Sequence, residues 1–379
     1  MTKDEFHANV LDILYLTRCV VNQEIPDKAR VESMNQEQLY EAAQRHSMTA
    51  VTAFALESAG IRHKDFTEAK EKALRKNIIF DAERKKILQK LEDAKIWYIP
   101  LKGAILKDYY PKMGMRQMTD NDILFDASRR ENVREIMLNL GFTVNHFGVG
   151  YDDAYFKKPV CNFEMHSTLF SGVDMPFLMK MHEYYENIRE RLLKDENNQY
   201  GYHFSDEDFY LYMIAHEYKH YAMSGTGVRS LLDMYIFLRK FQDSMNWEYI
   251  LAETQKLGIA DYEQKSRKLA FRIFTNQELT PDEKEILDYY IFSEAYGTSA
   301  NFAANRAKSF HTDSQFQYIF HRIFPPMEIV QMWYPFFYKY KIFLPVLWFI
   351  VRPFKALTVK KSLAKEEMKQ LKGKSDSGK

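Results

Sequence analysis

From residue 1 to residue 95 the chain follows a three-and-four spacing, with Val10, Ile13, Leu14, Thr17, Val20 and Val21 falling together, and strand-like alternation is rare. That spacing predicts helices. Residues 68–95 predict one long, charged, amphipathic helix with Ile78, Ile79, Ile87, Leu88 and Leu91 on its buried face. The pattern changes at Ile96. IWYIP is a short β-branched and aromatic run, as in a buried strand, and LKGAILKDYY behind it predicts a helix starting near Gly103. YPKMGMRQMT then predicts a loop, and DNDILF a second strand. Ser128-x-x-Glu131 predicts a capping box that opens a helix, and Gly141 closes that helix. FTVNHFGV, YDDAYFKK and PVCNFEMHS predict three further strands, the last with Asn162, Glu164 and His166 on one face. From Ser205 helical spacing returns, first to Gly225 and then through LLDMYIFLRKF.

These elements predict an α+β fold. A small mixed sheet with helices spans 96–172, flanked by a helical region over 1–95 and a helical domain over 173–330. An aromatic, proline-rich arm covers 331–358, and 359–379 is a basic tail predicted to be disordered.

Composition narrows the partners. The chain has 379 residues, 46% hydrophobic and 28% charged, a globular balance. Its formal net charge is only +1, so no global field holds a nucleic-acid backbone, and stable nucleic-acid binding is not expected. Cys19 and Cys161 match no metal-ligand spacing and suggest no disulfide framework, which fits a reducing, cytoplasmic setting. MTKDEFHANVLDILYLTR lacks the apolar core of a signal peptide. The longest apolar run, Ile342 to Val351, is interrupted by Pro345 and falls far short of the ~20 residues that span a bilayer. From Arg352 to Lys379 there are nine Lys/Arg against three acids. The arm therefore has two readings: a packing segment over the helical domain, or a weak, peripheral membrane-surface contact through 333–357.

The candidate chemistry lies in the carboxylates. Strand side chains alternate, so Asp120 and Asp122 share a face. Glu164 sits on a later strand, and neighbouring strands would bring the three carboxylates together. Hard oxygen ligands suit Mg²⁺, with Mn²⁺ as a substitute, and two ions about 3.5–4 Å apart serve phosphoryl transfer by bridging attacking and leaving oxygens. Glu164 would ligate the ion that activates an acceptor hydroxyl, or accept its proton. Lys102, Gly103 at a helix start, and Arg116 are placed to meet phosphate.

The segment PLKGAILKDYYPKMGMRQMTDNDILF resembles the signature of the uncharacterised bacterial nucleotidyltransferase family of the polymerase-β superfamily. It carries Leu-Lys-Gly, Tyr-Pro and Arg-x-x-x-Asp-x-Asp, and NFEMHS supplies the later Glu-hydrophobic-His as Glu164 and His166. FPPMEIVQMWYPFFYKYKIFLPVLWFIVRPF is similar to the family's C-terminal Tyr-Pro and Leu-Pro pattern. The resemblance implies transfer of a nucleoside monophosphate from Mg-NTP to an acceptor hydroxyl with release of pyrophosphate, in a surface-polysaccharide setting. It makes Asp120, Asp122 and Glu164 the metal ligands, and Lys102, Gly103, Arg116 and His166 substrate contacts. Two departures stand out: Asn121 replaces a hydrophobic residue between the aspartates, and Gly103-Ala104 stands where the superfamily has Gly-Ser.

Two readings compete. His216-Glu217-x-x-His220 matches the zinc-hydrolase motif, but the extended pattern that would bring a third ligand fails at Met223 and Thr226. A catalytically inactive nucleotide-binding module is the other alternative. Downstream, Gly225-Thr226-Gly227-Val228-Arg229 places Arg229 one helical turn before Asp233. The pair would either face the nucleotide or form a local ion pair.

Overall fold

The computed structural model describes residues 1–148, 150–171, 176–309 and 334–352, together with 324, 327 and 330. Helices α1 (Lys3–Val21), α2 (Lys28–Ser33), α3 (Gln36–Arg45), α4 (Thr49–Ser58) and α5 (Lys64–Asp93) account for the N-terminal spacing. Val10, Ile13, Leu14, Val20 and Val21 are all buried. In α5 the buried face is centred on Phe80, Ile87 and Leu91, while Ile78 is 56% exposed. Ile79, Ile87, Leu88 and Leu91 keep to the expected face; Ile78 leaves it, and Phe80 packs on Phe163 of the sheet instead.

A five-stranded sheet follows: β1 (Tyr98–Pro100), β2 (Asn121–Phe125), β3 (Thr143–His146), β4 (Asp152–Lys157) and β5 (Cys161–His166), in the order β1-β2-β5-β4-β3. Only β2 and β5 run parallel; the other pairs are antiparallel. Helices α6 (Gly103–Leu106) and α7 (Arg130–Asn139) lie between strands. The capping box expected at Ser128 does not form. The Asp126 carboxylate accepts from both the Ser128 backbone N–H and its hydroxyl, and a 3₁₀ turn at Ala127–Arg129 leads into α7. Gly141, at φ 81°, closes α7 as expected. Asn121 is buried and accepts a 2.8 Å hydrogen bond from Arg84 on α5, so a polar tie replaces the apolar packing usual there.

Two short strands, β6 (Leu193–Lys194) and β7 (Tyr202–His203), and helices α8 (Pro176–Tyr184), α9 (Asp206–Met223), α10 (Arg229–Phe241), α11 (Trp247–Leu257), α12 (Ala260–Phe274), α13 (Pro281–Ser293) and α14 (Ser299–Ser309) follow. Ser205 caps α9 by accepting from the Asp208 N–H.

The sheet divides two apolar cores. Ile123, Phe125, Phe163 and Met165 pack with Phe80, Ile87 and Leu91 of α5 and Val133 and Met137 of α7. Ile99, Leu101 and Leu124 join a larger cluster that combines α1–α4 with α9–α13. The two helical regions, far apart in sequence, therefore share one core against the sheet.

A buried ion pair fixes the loop before β2 onto α10. Arg116 Nε and Nη2 each donate 2.9 Å hydrogen bonds to Asp233, and the Tyr110 hydroxyl adds a third at 2.6 Å. Losing one partner of such a buried pair costs about 3–5 kcal/mol. Asp233 is thus taken by Arg116 and not by Arg229, whose Nη1 instead donates to the Gln117 carbonyl at 3.3 Å.

Among the described residues no helix is long and apolar enough to cross a membrane. Leu344 and Leu347 of the arm are buried with Val330, just before it, in a small separate cluster. The arm leaves Phe336, Ile342, Phe349 and Ile350 exposed. The basic tail over 359–379 lies outside the described residues.

Candidate active site

The parallel pairing of β2 with β5 sets the site. Asp122 lies directly opposite Glu164, and Leu124 opposite His166. Residues opposite each other in a ladder project from the same face, so the alternation read from sequence becomes a cluster. The His166 Nε2 is 3.2 Å from Asp122 Oδ1 and 3.9 Å from Glu164 Oε2. Asp122, Glu164 and His166 each offer one ligand atom, and these atoms all lie within 4.8 Å of one another. Asp120 immediately precedes β2 and lines the same cleft, outside that tightest group.

Lys102 is the counter-charge. It is the residue before α6, and its φ of 40° is a conformation that side chains with a Cβ rarely adopt. Such strain costs of order 1–3 kcal/mol and persists where surrounding contacts over-determine it. Two contacts do so here. The Leu101 N–H donates to the Asp122 carbonyl at 2.9 Å, and the Lys102 ammonium lies 3.2 Å from Asp122 Oδ2. The sequence had suggested that Gly103 lets backbone approach phosphate. In this structure its open side is covered: a Cβ there would collide with Arg116 Nη1. Glycine is needed because the guanidinium bound to Asp233 passes directly over it. Arg116 therefore lines the cleft with its charge already paired, and α6, only four residues long, contributes little dipole.

The electrostatics follow from crowding. Burial works against the Asp122 charge, but Lys102 and His166 hold its carboxyl well below the usual range. Asp120 is raised by burial and by the Asp122 charge. Glu164 is pushed up to about 7 by burial and by Asp122 and Asp120. Burial acts to lower Lys102, yet Asp122 and Asp120 carry it above its ordinary value. Asp120, Asp122 and Glu164 share the sheet side of a cleft of about 370 Å³ with the Lys102 ammonium. Added cationic charge would relieve the repulsion that raises Asp120 and Glu164. On that ground the donor set fits a divalent ion: carboxylate oxygens suit Mg²⁺, and the His166 nitrogen makes Mn²⁺ at least as suitable.

Helix α9 supplies the opposite wall with His216, Lys219 and His220. The two histidine Nε2 atoms are 3.3 Å apart. Among the described residues no third ligand joins them to form a metal-binding group. The zinc motif's Glu217 is buried, its carboxyl raised by burial and by Asp233. Arg229 and Asp233 also line the cleft, Asp233 through its pair with Arg116.

Sequence reasoning passed over two cleft residues. Tyr151 follows a glycine turn with no motif around it, and its ring stands 5.6 Å from that of His166. Lys219 lies inside the zinc-like motif, which drew attention to the histidines instead.

Glu164 generates a testable pH signature. Its folded value lies above the ordinary 4.5, so the folded protein binds more protons between those values, and stability falls as pH rises from about 4.5 to about 7. Carboxyl-carbon NMR of metal-free protein is expected to show a group titrating near pH 7 that disappears in Glu164→Gln. In Glu164→Gln the loss of denaturant stability over that interval should also shrink. A wild-type spectrum with every carboxyl titrating below pH 5 contradicts the reading.

No curated protein and no solved structure matches the chain. One family model does, over residues 32–275, and its description is that of an uncharacterised nucleotidyltransferase. The matched stretch contains β1 to β5, the whole carboxylate cluster, α9 and α10. The chain belongs to this uncharacterised nucleotidyltransferase family.

Proposed function

We propose that the protein transfers a nucleoside monophosphate from Mg-NTP to an acceptor hydroxyl and releases pyrophosphate. The observation that carries this reading is the parallel β2–β5 register, which sets Asp122 opposite Glu164 with His166 alongside in one cleft. Family membership supports the reaction class.

Asp120, Asp122 and Glu164 would hold the divalent ions, with His166 as an orienting partner of Asp122 or a fourth ligand. When bound, the ions would supply charge neutralisation to the phosphates and acidity to the acceptor hydroxyl. The protein's own groups divide the remaining work. Glu164 would ligate the ion that activates the acceptor hydroxyl, or accept that hydroxyl's proton. The freed oxygen bonds to the α-phosphorus, the bond to the bridging oxygen breaks, and pyrophosphate departs with the electron pair. Lys102 is the cation nearest this exchange. Its ammonium is engaged by Asp122 and offsets that carboxylate's repulsion of the incoming phosphates. His166 holds Asp122 in place through its Nε2.

In the same reading the arm gives the enzyme a weak hold on an anionic membrane surface. Support comes from the exposed Phe336, Ile342, Phe349 and Ile350 beside the exposed Lys339 and Lys341. Co-sedimentation with anionic vesicles is expected for the full chain and lost on truncation after Pro335. Equal recovery of both forms in the supernatant removes the membrane from the account.

The transfer itself is tested by incubating each α-labelled NTP with Mg²⁺ or Mn²⁺ and pools of hydroxyl acceptors. Wild-type protein should move label to one pool, and Asp122→Ala should lose at least about 100-fold of that rate. Label transfer that survives in Asp122→Ala contradicts the mechanism. Nucleotide binding without transfer to any pool favours an inactive module.

A further inference from the structure

The Arg116–Asp233 pair poses a problem for phosphate binding. The transferase reading needs cations for a triphosphate, yet Arg116 is spent on Asp233 and Lys102 on Asp122. The opposite wall of the cleft holds an alternative. On α9, His216, Lys219 and His220 are spaced i, i+3 and i+4, which puts them on one helical face. All three line the cleft that contains Asp120, Asp122 and Glu164.

The face carries donors with little to donate to. Lys219 forms no ion pair among the described residues; its ammonium lies 3.5 Å from the Tyr151 hydroxyl and 5.6 Å above that ring. Enclosure and the neighbouring Lys102 pull it down to about 8, although the Asp122, Glu164 and Asp152 charges act the other way. The histidines reach only each other through side-chain hydrogen bonds, at 3.3 Å between Nε2 atoms. Besides enclosure, the charges acting on His216 are those of Lys102, Lys219, His220 and His166, and all of them disfavour its protonation. On His220 the charges of Lys219, Lys102 and Arg229 act the same way, and Asp122 alone opposes them. A wall in such positive surroundings repels a metal dication and attracts a polyanion.

We infer that His216, Lys219 and His220 form the subsite that holds the β- and γ-phosphates of the nucleotide and then the pyrophosphate that leaves. The inference rests on the transferase reading for the identity of the ligand. Its geometry places the triphosphate between two walls: the carboxylate strands on one side and α9 on the other. Arg229, which among the described residues donates to the Gln117 carbonyl, sits beside this subsite in the same cleft. The motif that reads as a zinc clamp in sequence thus serves as a phosphate clamp, with Glu217 largely buried in the same cleft and its carboxyl raised by burial and by Asp233.

Titration calorimetry of the full chain with metal-free inorganic tripolyphosphate tests the subsite apart from catalysis. Wild-type protein is expected to bind. Lys219→Met and the double variant His216→Asn/His220→Asn should each weaken binding about tenfold or more, and Lys219→Arg should restore most of it. Thermal melts identify any variant that fails to fold, and Lys219→Gln then stands in for Lys219→Met. Asp122→Ala should keep tripolyphosphate binding while losing label transfer. Unchanged tripolyphosphate binding in folded α9 variants overturns the subsite and leaves the transferase reading intact. Tight Zn²⁺ binding that depends on His216 and His220 also overturns it. Loss of tripolyphosphate binding in the α9 variants, with no NTP transferred by wild type under any condition, upholds an anion subsite and sinks the transferase reading.

Discussion

Mutual repulsion among Asp120, Asp122 and Glu164 is the constraint around which the rest of this structure is arranged. Carboxylates in one cleft cannot all ionise without nearby positive charge. The protein supplies one such charge from within, the Lys102 ammonium 3.2 Å from Asp122, and holds that residue at a φ of 40° to do so. The result is unequal: Asp122 is firmly ionised, while Asp120 and Glu164 stay raised. A site with one fixed carboxylate and two reluctant ones is prepared for further cations.

The helical regions complete what the sheet begins. Five short strands position the carboxylates but leave the cleft with one wall. Helices α1–α4 and α9–α13 share a core, and α10 reaches the sheet unit through the Asp233–Arg116 pair and the Tyr110 hydroxyl. That pair draws the guanidinium over Gly103, where any side chain would collide with it. The tie that fastens loop to helix therefore also fixes where the Arg116 charge is spent. Arg116 is withdrawn, and Lys219 with the two histidines on α9 faces the strands.

Much of this was legible in the sequence, where local rules dominate. The three-and-four spacing marked α1, α5, α9 and α10. The alternation in DNDILF and NFEMHS put Asp122 and Glu164 on matching faces before their strands were known to be neighbours. Misreadings came where a residue's partner is distant or a nearer rival intervenes. Asp126 captured Ser128 and displaced the expected capping box. Ile78 looked apolar enough to be buried, but the sheet contacts Phe80. Arg116 and Asp233 are separated by 117 positions, so no spacing rule could pair them, and Arg229 was the natural local candidate. Lys219 was hidden inside a motif with a stronger association.

The central claim is that Asp122 and Glu164 hold the ion that accompanies a nucleotide. Anomalous diffraction from crystals grown with Mn²⁺ and a non-hydrolysable NTP analogue measures this directly. The account predicts manganese density bound by the Asp122 and Glu164 carboxylates, with the analogue's phosphates beside it. Manganese at His216 and His220 instead, or a nucleotide bound away from β2 and β5, would contradict it.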